Sequence, residues 1–62
     1  MISENIRAYR LMYNFSQKQL GEMLGYSART ISDWEKGNTE PNLTTIKILV
    51  KIFNISYEDL LD

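Results

Sequence analysis

Residues 17–36 read QKQLGEMLGYSARTISDWEK, and this segment carries the most informative pattern in the chain. Leu20 and Leu24 stand four residues apart, which is the spacing of two side chains on one face of a helix. Ile31 and Trp34 stand three residues apart and mark a second helical face further along the chain. The pattern predicts two short amphipathic helices, helix 2 over about 17–24 and helix 3 over about 28–36.

The residues between these helices predict a tight turn. Gly25 follows helix 2 at a point where a left-handed backbone is commonly needed, and Ser27 offers a hydroxyl to the free amides that open helix 3. Gly21 is a poor residue for a helix interior, by about 1 kcal/mol against Ala, so its missing side chain indicates a close approach of helix 3. These features are typical of a helix-turn-helix, although glycine turns and leucine cores also occur in ordinary helical hairpins.

Composition limits the chemistry of this chain. Its 62 residues form one domain that buries only roughly 60% of its unfolded surface, which leaves little room for a large cavity. The chain contains no Cys and no His, so the usual metal ligands and acid–base groups are missing. We expect a domain that is not an enzyme and has no cofactor, metal or small-molecule ligand.

The amino-terminal sequence and the hydropathy pattern predict a cytoplasmic protein with no membrane partner. No stretch approaches the roughly 20 apolar residues that span a bilayer. Met1 is followed by Ile2, Ser3 and Glu4 rather than by a basic segment leading into an apolar one, as an export signal requires.

The formal net charge of −1 is more negative than expected for a domain that binds a polyanion, since such domains usually have a basic surface. The charges are unevenly distributed, because residues 1–38 carry five cations and four anions and residues 39–62 carry two cations and four anions. This asymmetry would orient the domain on a polyanion, and it is also within the ordinary variation of a solvated surface.

Three further helices are predicted around the central pair, helix 1 over about 3–13, helix 4 over about 43–53 and helix 5 over about 57–61. The residues that cap or stop the helices are Asn14, Ser16 with Gln19, Asn42, Asn54, and Ser56 with Asp59. The side chains of helix 4 expected to face the core are Leu43, Ile46, Leu49, Val50 and Phe53. The predicted fold is all-α, a compact bundle of five helices.

Motifs over nearly the whole chain match one family. They are Ile6-Arg7, Arg10, Phe15-Ser16-Gln17, Leu20-Gly21, Leu24-Gly25-Tyr26-Ser27, Thr30-Ile31-Ser32, Trp34-Glu35-Lys36-Gly37, Pro41 and Ile55-Ser56-Tyr57-Glu58-Asp59-Leu60-Leu61. On these residues the chain resembles the DNA-binding domain of the phage repressor and Cro family, also called the xenobiotic-response-element family of helix-turn-helix regulators. It departs from the family at Asn14 and Asn54, where Gly is usual, and at Tyr9, where Leu is usual. Asn tolerates the same left-handed backbone as Gly.

The resemblance implies a lambda-repressor-like fold and sequence-specific binding of double-stranded DNA, commonly by a two-fold dimer that represses transcription. It also implies an internal ion pair, because Arg10 and Glu35 have the register with which the family joins helix 1 to helix 3. We expect this pair to be structural.

Helix 3 presents a row of side chains opposite the buried Ile31 and Trp34. The row comprises Ala28, Arg29, Ser32, Asp33 and Lys36. We expect this face to enter the major groove of DNA, where the planar fork of Arg29 can give two hydrogen bonds to guanine O6 and N7. Asp33, one turn later, either orients Arg29 or accepts a hydrogen bond from cytosine N4.

The other predicted DNA contacts surround that face. Ala28 offers a methyl contact to thymine, and Ser27 reaches a base edge or a phosphate. Gln17 and Lys18 lie at the amino terminus of helix 2, where free amides and the helix dipole favour a phosphate, and Gln17 could also reach a base. The expected phosphate contacts on the opposite strand are Lys36 and Asn38. The simpler alternatives are a solvated Arg29–Asp33 pair and roles of Lys36 and Asn38 in solubility and turn formation.

Ile48 and Ile52 point away from the core-facing side chains predicted for helix 4. Singly exposed isoleucines are normal, and the pair is also a possible dimer surface. A two-fold homodimer would place its two copies of helix 3 roughly 34 Å apart, in successive major grooves.

A protein-interaction module, such as an antirepressor or an antitoxin-like domain that kept the fold without DNA binding, is the competing interpretation. The acidic net charge favours it. Arg29, Lys36 and Gln17 favour DNA binding, because a domain freed from DNA has no need of them at those positions.

Overall fold

The computed structural model describes residues 1–62 and contains five α-helices and no strands. The helices are α1 (Ile2–Met12), α2 (Gln17–Leu24), α3 (Ala28–Lys36), α4 (Leu43–Phe53) and α5 (Tyr57–Leu61). The predicted all-α architecture is confirmed. Helix α1 begins and ends one residue earlier than predicted, and the other four helices have the bounds that the sequence predicts.

Local hydrogen bonds define the helix starts. The side chains of Ser16, Ser27, Asn42 and Ser56 each accept a hydrogen bond from the backbone N–H three residues later. Ser16 and Ser56 form full capping boxes, because Gln19 and Asp59 bond back to the N–H of their own cap residue. Each cap thus satisfies amides that the helix itself leaves free.

Residues with a left-handed backbone follow four of the helices, and the sequence predicts three of them, at Asn14, Gly25 and Asn54. These residues are Asn14 (φ 61°), Gly25 (φ 83°), Gly37 (φ 78°) and Asn54 (φ 54°). The two Asn residues therefore perform the role that glycine usually has at such positions.

Gly21 lets the two helices of the central pair approach closely. A Cβ at this position would lie 2.5 Å from the carbonyl oxygen of Tyr26 and 3.3 Å from the carbonyl carbon of Ser27. Because backbone atoms cannot yield as a flexible side chain does, no larger residue fits here without moving the start of α3.

The core is formed by all five helices. Its buried apolar side chains are Ile6, Leu20, Ile31, Trp34, Leu49, Val50, Phe53 and Leu60. Helix α3 packs against α1 and α2, while α5 packs against α1 and α4. Helix α1 therefore packs on the inner side of the central pair, and the opposite side of α3 faces solvent.

Two predictions about α4 are wrong. Leu43 was expected to face the core but is 64% exposed, while Thr45 is only 4% exposed. The buried face of α4 is centred near Leu49, so Leu43 lies at its margin, in the first turn and beyond the edge of the core. Ile52, expected to point away, lies at the other margin and packs partly buried against the core, whereas Ile48 is exposed.

None of the five helices has the length and apolar character that crossing a bilayer requires.

Candidate nucleic-acid interface

The outward face of α3 is accessible along its whole length. The side chain of Arg29 is 88% exposed and that of Asp33 is 30% exposed. Lys36 is exposed, and Ala28 and Ser32 are half-buried. No residue of this row contributes to the core, since Ile31 and Trp34 hold the helix from the other side. The structure therefore presents to solvent a row of partly or fully exposed side chains that are polar except for Ala28.

Arg29 and Asp33 approach each other one turn apart on this face. The Nε of Arg29 lies 4.0 Å from Oδ2 of Asp33. At that separation in open solvent the pair is weak, so the guanidinium is biased in direction but remains free to reach a partner. This geometry is compatible with an orienting role for Asp33.

An ion pair fixes α3 against α1. The Nε of Arg10 donates to Oε2 of Glu35 at 2.6 Å and its Nη2 donates to Oε1 at 3.0 Å. The Nη1 of Arg10 donates to the carbonyl oxygen of Phe15 at 2.8 Å, in the loop before α2. The guanidinium thus bonds to α3 and to the α1–α2 loop as well as belonging to α1.

Gln17 joins the same network from the start of α2. Its Nε2 donates to Oε1 of Glu35 at 3.2 Å, so the carboxylate of Glu35 accepts from both Arg10 and Gln17. This inward contact was not expected from the sequence. One amide N–H and the amide oxygen of Gln17 remain available for another partner. Lys18 and Ser16 at the same helix start are exposed.

The carboxyl end of α3 turns sharply at Gly37, which has a φ of 78°. The N–H of Asn38 donates to the carbonyl oxygen of Asp33 at 3.0 Å and so closes the helix end. The side chains of Lys36 and Asn38 are exposed beside this turn. The structure thus places Lys36 and Asn38 together, at the opposite end of α3 from Ser27.

Sequence reasoning missed a contact behind this surface. The hydroxyl of Tyr26 lies 3.2 Å from Oγ1 of Thr45, and the ring of Tyr26 packs edge-on against Trp34. Nineteen positions separate Tyr26 from Thr45, so no local pattern could reveal the pair.

No cluster of side chains suited to a metal ion occurs in the structure. One open groove is lined by Phe15, Gln19, Glu22 and Met23, and it includes none of the residues predicted to contact DNA.

The fold and the outward face of α3 agree with a comparison against known protein families. In that comparison the family described as Helix-turn-helix matches residues 6–60. The chain belongs to the helix-turn-helix family of phage repressor and Cro type. The family inferred from the sequence motifs is confirmed.

Three relatives of different lengths are similar to this chain. It is 39% identical over 61 residues to repressor protein C2 of Salmonella phage P22, covering 98% of this chain and 28% of C2. It is 38% identical over 61 residues to control protein C.SmaI of Serratia marcescens, covering 98% of this chain and 73% of C.SmaI. It is 36% identical over 59 residues to the HTH-type transcriptional activator BcrR of Enterococcus faecalis, covering 95% of this chain and 29% of BcrR. The helix-turn-helix domain thus spans less than a third of C2 and of BcrR.

A solved structure gives the same arrangement of helices. The crystal structure of the P22 c2 repressor protein in complex with synthetic operator 9T superimposes with a TM-score of 0.90 at 39% identity. The superposition covers 100% of this chain and 94% of that chain.

Proposed function

We propose that this helix-turn-helix domain binds double-stranded DNA in a sequence-specific manner and regulates transcription as a repressor. The observation that carries the proposal is the outward face of α3, which is polar and accessible while Ile31 and Trp34 anchor the helix from behind. The close superposition on the P22 repressor protein solved with operator DNA supports the same role.

Each residue of the outward face of α3 has a DNA contact that its position permits. Arg29 reads guanine through a bidentate pair of hydrogen bonds, and Asp33 orients Arg29. Ala28 contacts a thymine methyl group, and Ser27 and Ser32 bond to base edges or to nearby phosphates.

Phosphate contacts flank the reading face. Gln17 and Lys18 meet one backbone at the start of α2, where the free amides and helix dipole add to the attraction. Lys36 and Asn38 meet the other backbone at the end of α3. Because phosphates are alike at every base pair, these contacts set position without reading sequence.

The proposed DNA-binding form is a homodimer located in the cytoplasm, and its role is binding rather than catalysis. The exposed Ile48, beside the half-buried Ile52, supports a dimer contact on α4. Two-fold symmetry would let two copies of α3 meet successive major grooves of an inverted repeat.

Selection from a pool of random duplexes tests the proposal. The protein is equilibrated with the pool at two salt concentrations, and the bound duplexes are sequenced. We expect enrichment of inverted half-sites and an affinity that falls as salt rises, because cations released from the phosphates drive binding. Absence of enrichment at low ionic strength would contradict the proposal.

The acidic balance of charge favours a second candidate, an interaction module that binds another protein and not DNA. The net charge of −1 weakens the long-range attraction to DNA. The same selection separates the two candidates, since an interaction module enriches no sequence at either salt concentration.

A further inference from the structure

Tyr26 connects the turn between α2 and α3 to the first turn of α4. Its Oη lies 3.2 Å from Oγ1 of Thr45, and either hydroxyl can donate. Its ring meets Trp34 edge-on, with the centroids 5.1 Å apart and the ring planes at 73°. Thr45 is only 4% exposed, so its hydroxyl is largely out of reach of water. The side chain of Tyr26 therefore contacts both α4 and α3, the reading helix that we propose enters the major groove.

This bond is the one side-chain hydrogen bond between the helix-turn-helix and α4. The other long-range side-chain hydrogen bonds join Asn5 to Leu60, Arg10 to Glu35, Tyr13 to Phe53, and Gln17 to Glu35. Helix α3 packs mainly on α1 and α2, whereas α4 packs on α5 and, through Phe53, on the rings of Tyr9 and Tyr13. Apolar contacts are not directional, but a hydrogen bond constrains both distance and angle. The Tyr26–Thr45 bond is therefore a direct and directional link between the turn before α3 and helix α4.

Helix α4 also carries Ile48, which is 41% exposed and belongs to the dimer contact proposed above. The Tyr26–Thr45 bond thus links the turn before α3 to the helix that carries the proposed dimer contact. We propose that Tyr26 and Thr45 are positioning residues that hold α3 at a set angle to the dimer contact and so determine the half-site spacing that the dimer accepts. This inference rests on the proposed function.

The geometry of DNA explains why such a bond affects specificity. Adding one base pair between two half-sites moves them apart by about 3.4 Å and rotates them by about 35° relative to each other. A dimer adapts by turning α3 relative to α4, which separates the two hydroxyls. The buried Oγ1 of Thr45 would then lack a partner, at a cost in free energy. The dimer therefore has a lower affinity for a repeat with the wrong spacing, although every base contact remains possible.

The substitution Tyr26→Phe tests the inference, because it keeps the ring against Trp34 and removes only the hydroxyl. Fluorescence anisotropy would give affinities for three labelled duplexes: the selected inverted repeat, the same repeat with one base pair inserted, and a single half-site. We expect the affinity for the single half-site to stay within about twofold of the parent. The preference for the selected spacing should fall by about fivefold, the size expected for one hydrogen bond.

Matched variants at the other end of the bond serve as controls. Thr45→Val removes the hydroxyl at nearly constant volume and should reproduce the loss of spacing preference. Thr45→Ser keeps a hydroxyl and should retain it. The double variant Tyr26→Phe/Thr45→Val should lose no more than either single variant, because both remove the same bond.

Three results would overturn the inference. The first is an unchanged spacing preference in Tyr26→Phe and Thr45→Val, and the second is a loss of affinity for the single half-site as large as the loss for the selected repeat. The third is unfolding of both variants, as measured by circular dichroism. The last result would mean that the bond holds the fold and not the angle. A parent protein that enriches no sequence overturns the proposed function together with this inference, and a parent that enriches single half-sites without an inverted repeat overturns the inference alone. A parent with a clear spacing preference that both variants keep overturns the inference alone.

Discussion

Arg10 and Glu35 form a bidentate ion pair between α1 and α3, with N···O distances of 2.6 and 3.0 Å. The two side chains are only 9% and 4% exposed. Every polar atom of the pair finds a partner, and the structure contains no buried side-chain nitrogen or oxygen without one. Since α3 also carries the proposed reading surface, this pair couples the stability of the domain to the placement of that surface.

Arg10→Ala should destabilise the domain strongly. Removing the guanidinium leaves the carboxylate of Glu35 buried without its main partner, which typically costs about 3 to 5 kcal/mol. Domains of this size have little more stability than that in total, so a large fraction of the variant should be unfolded at room temperature. Thermal melting followed by circular dichroism measures the effect. Arg7→Ala is the control, because Arg7 is an exposed cation on the same helix and should melt like the parent; equal melting of both variants would contradict the structural role.

Gly21→Ala should destabilise the domain, although the change favours an isolated helix by about 1 kcal/mol. The added Cβ would meet the carbonyl oxygen of Tyr26 at 2.5 Å. Relieving that clash means moving the turn or the start of α3, and overpacking of this kind costs about 1 to 3 kcal/mol. Urea unfolding gives the free energy. Gly25→Asn is the matched control, since Asn tolerates a left-handed backbone and its Cβ would enter open space; a more stable Gly21→Ala variant would disprove the close approach.

Arg29→Ala should relax the base preference at one position in each half-site. A bidentate arginine–guanine contact gives about 1 to 3 kcal/mol of discrimination, so preference there should fall by roughly tenfold or more. Asp33→Asn should broaden preference at the same position less severely, because the guanidinium keeps its donors and loses only its orienting partner. Repeating the duplex selection with each variant measures both effects. Unchanged selected sequences with Arg29→Ala would rule out its reading role.

Lys36→Ala should weaken binding to all duplexes alike. A phosphate contact carries no sequence information, and its loss should reduce the slope of log affinity against log salt by about 0.9. Titrations of one selected and one unrelated duplex at several salt concentrations give this slope. Lys51→Ala provides the control, since Lys51 is an exposed cation on α4 outside the proposed surface. A loss confined to the selected duplex would assign Lys36 to base reading.

Ile48→Glu should weaken self-association, because it places a charge on the exposed apolar side chain of the proposed dimer contact. Ile48 is a better choice than Ile52, whose partial burial against the core would mix dissociation with unfolding. Sedimentation equilibrium over a range of protein concentrations measures the dimer constant. Leu43→Glu, on the same helix and 64% exposed, is the control. A parent protein that stays monomeric at every concentration, with and without DNA, would refute the dimer contact.

Interactions between residues close together in the chain account for the helix bounds and for the outward face of α3. The caps at Ser16, Ser27, Asn42 and Ser56 and the left-handed stops at Asn14, Gly25 and Asn54 depend on residues at most a few positions away. Helix periodicity then assigned Ile31 and Trp34 to the core and so predicted the outward face of α3. The helix bounds and that face could therefore be inferred from the sequence alone.

Contacts between residues far apart in the chain set the remaining features of the structure. The bonds of Gln17 to Glu35 and of Tyr26 to Thr45 span 18 and 19 positions, and no local pattern encodes them. Leu43 and Ile52 lie at opposite margins of the buried face of α4, where periodicity is ambiguous and the neighbouring helices decide which side chain is covered. Local signals set each helix and its amphipathic face, because they act within one or two turns. The rotation of each helix, and the polar bonds that hold it there, follow only when all five pack together.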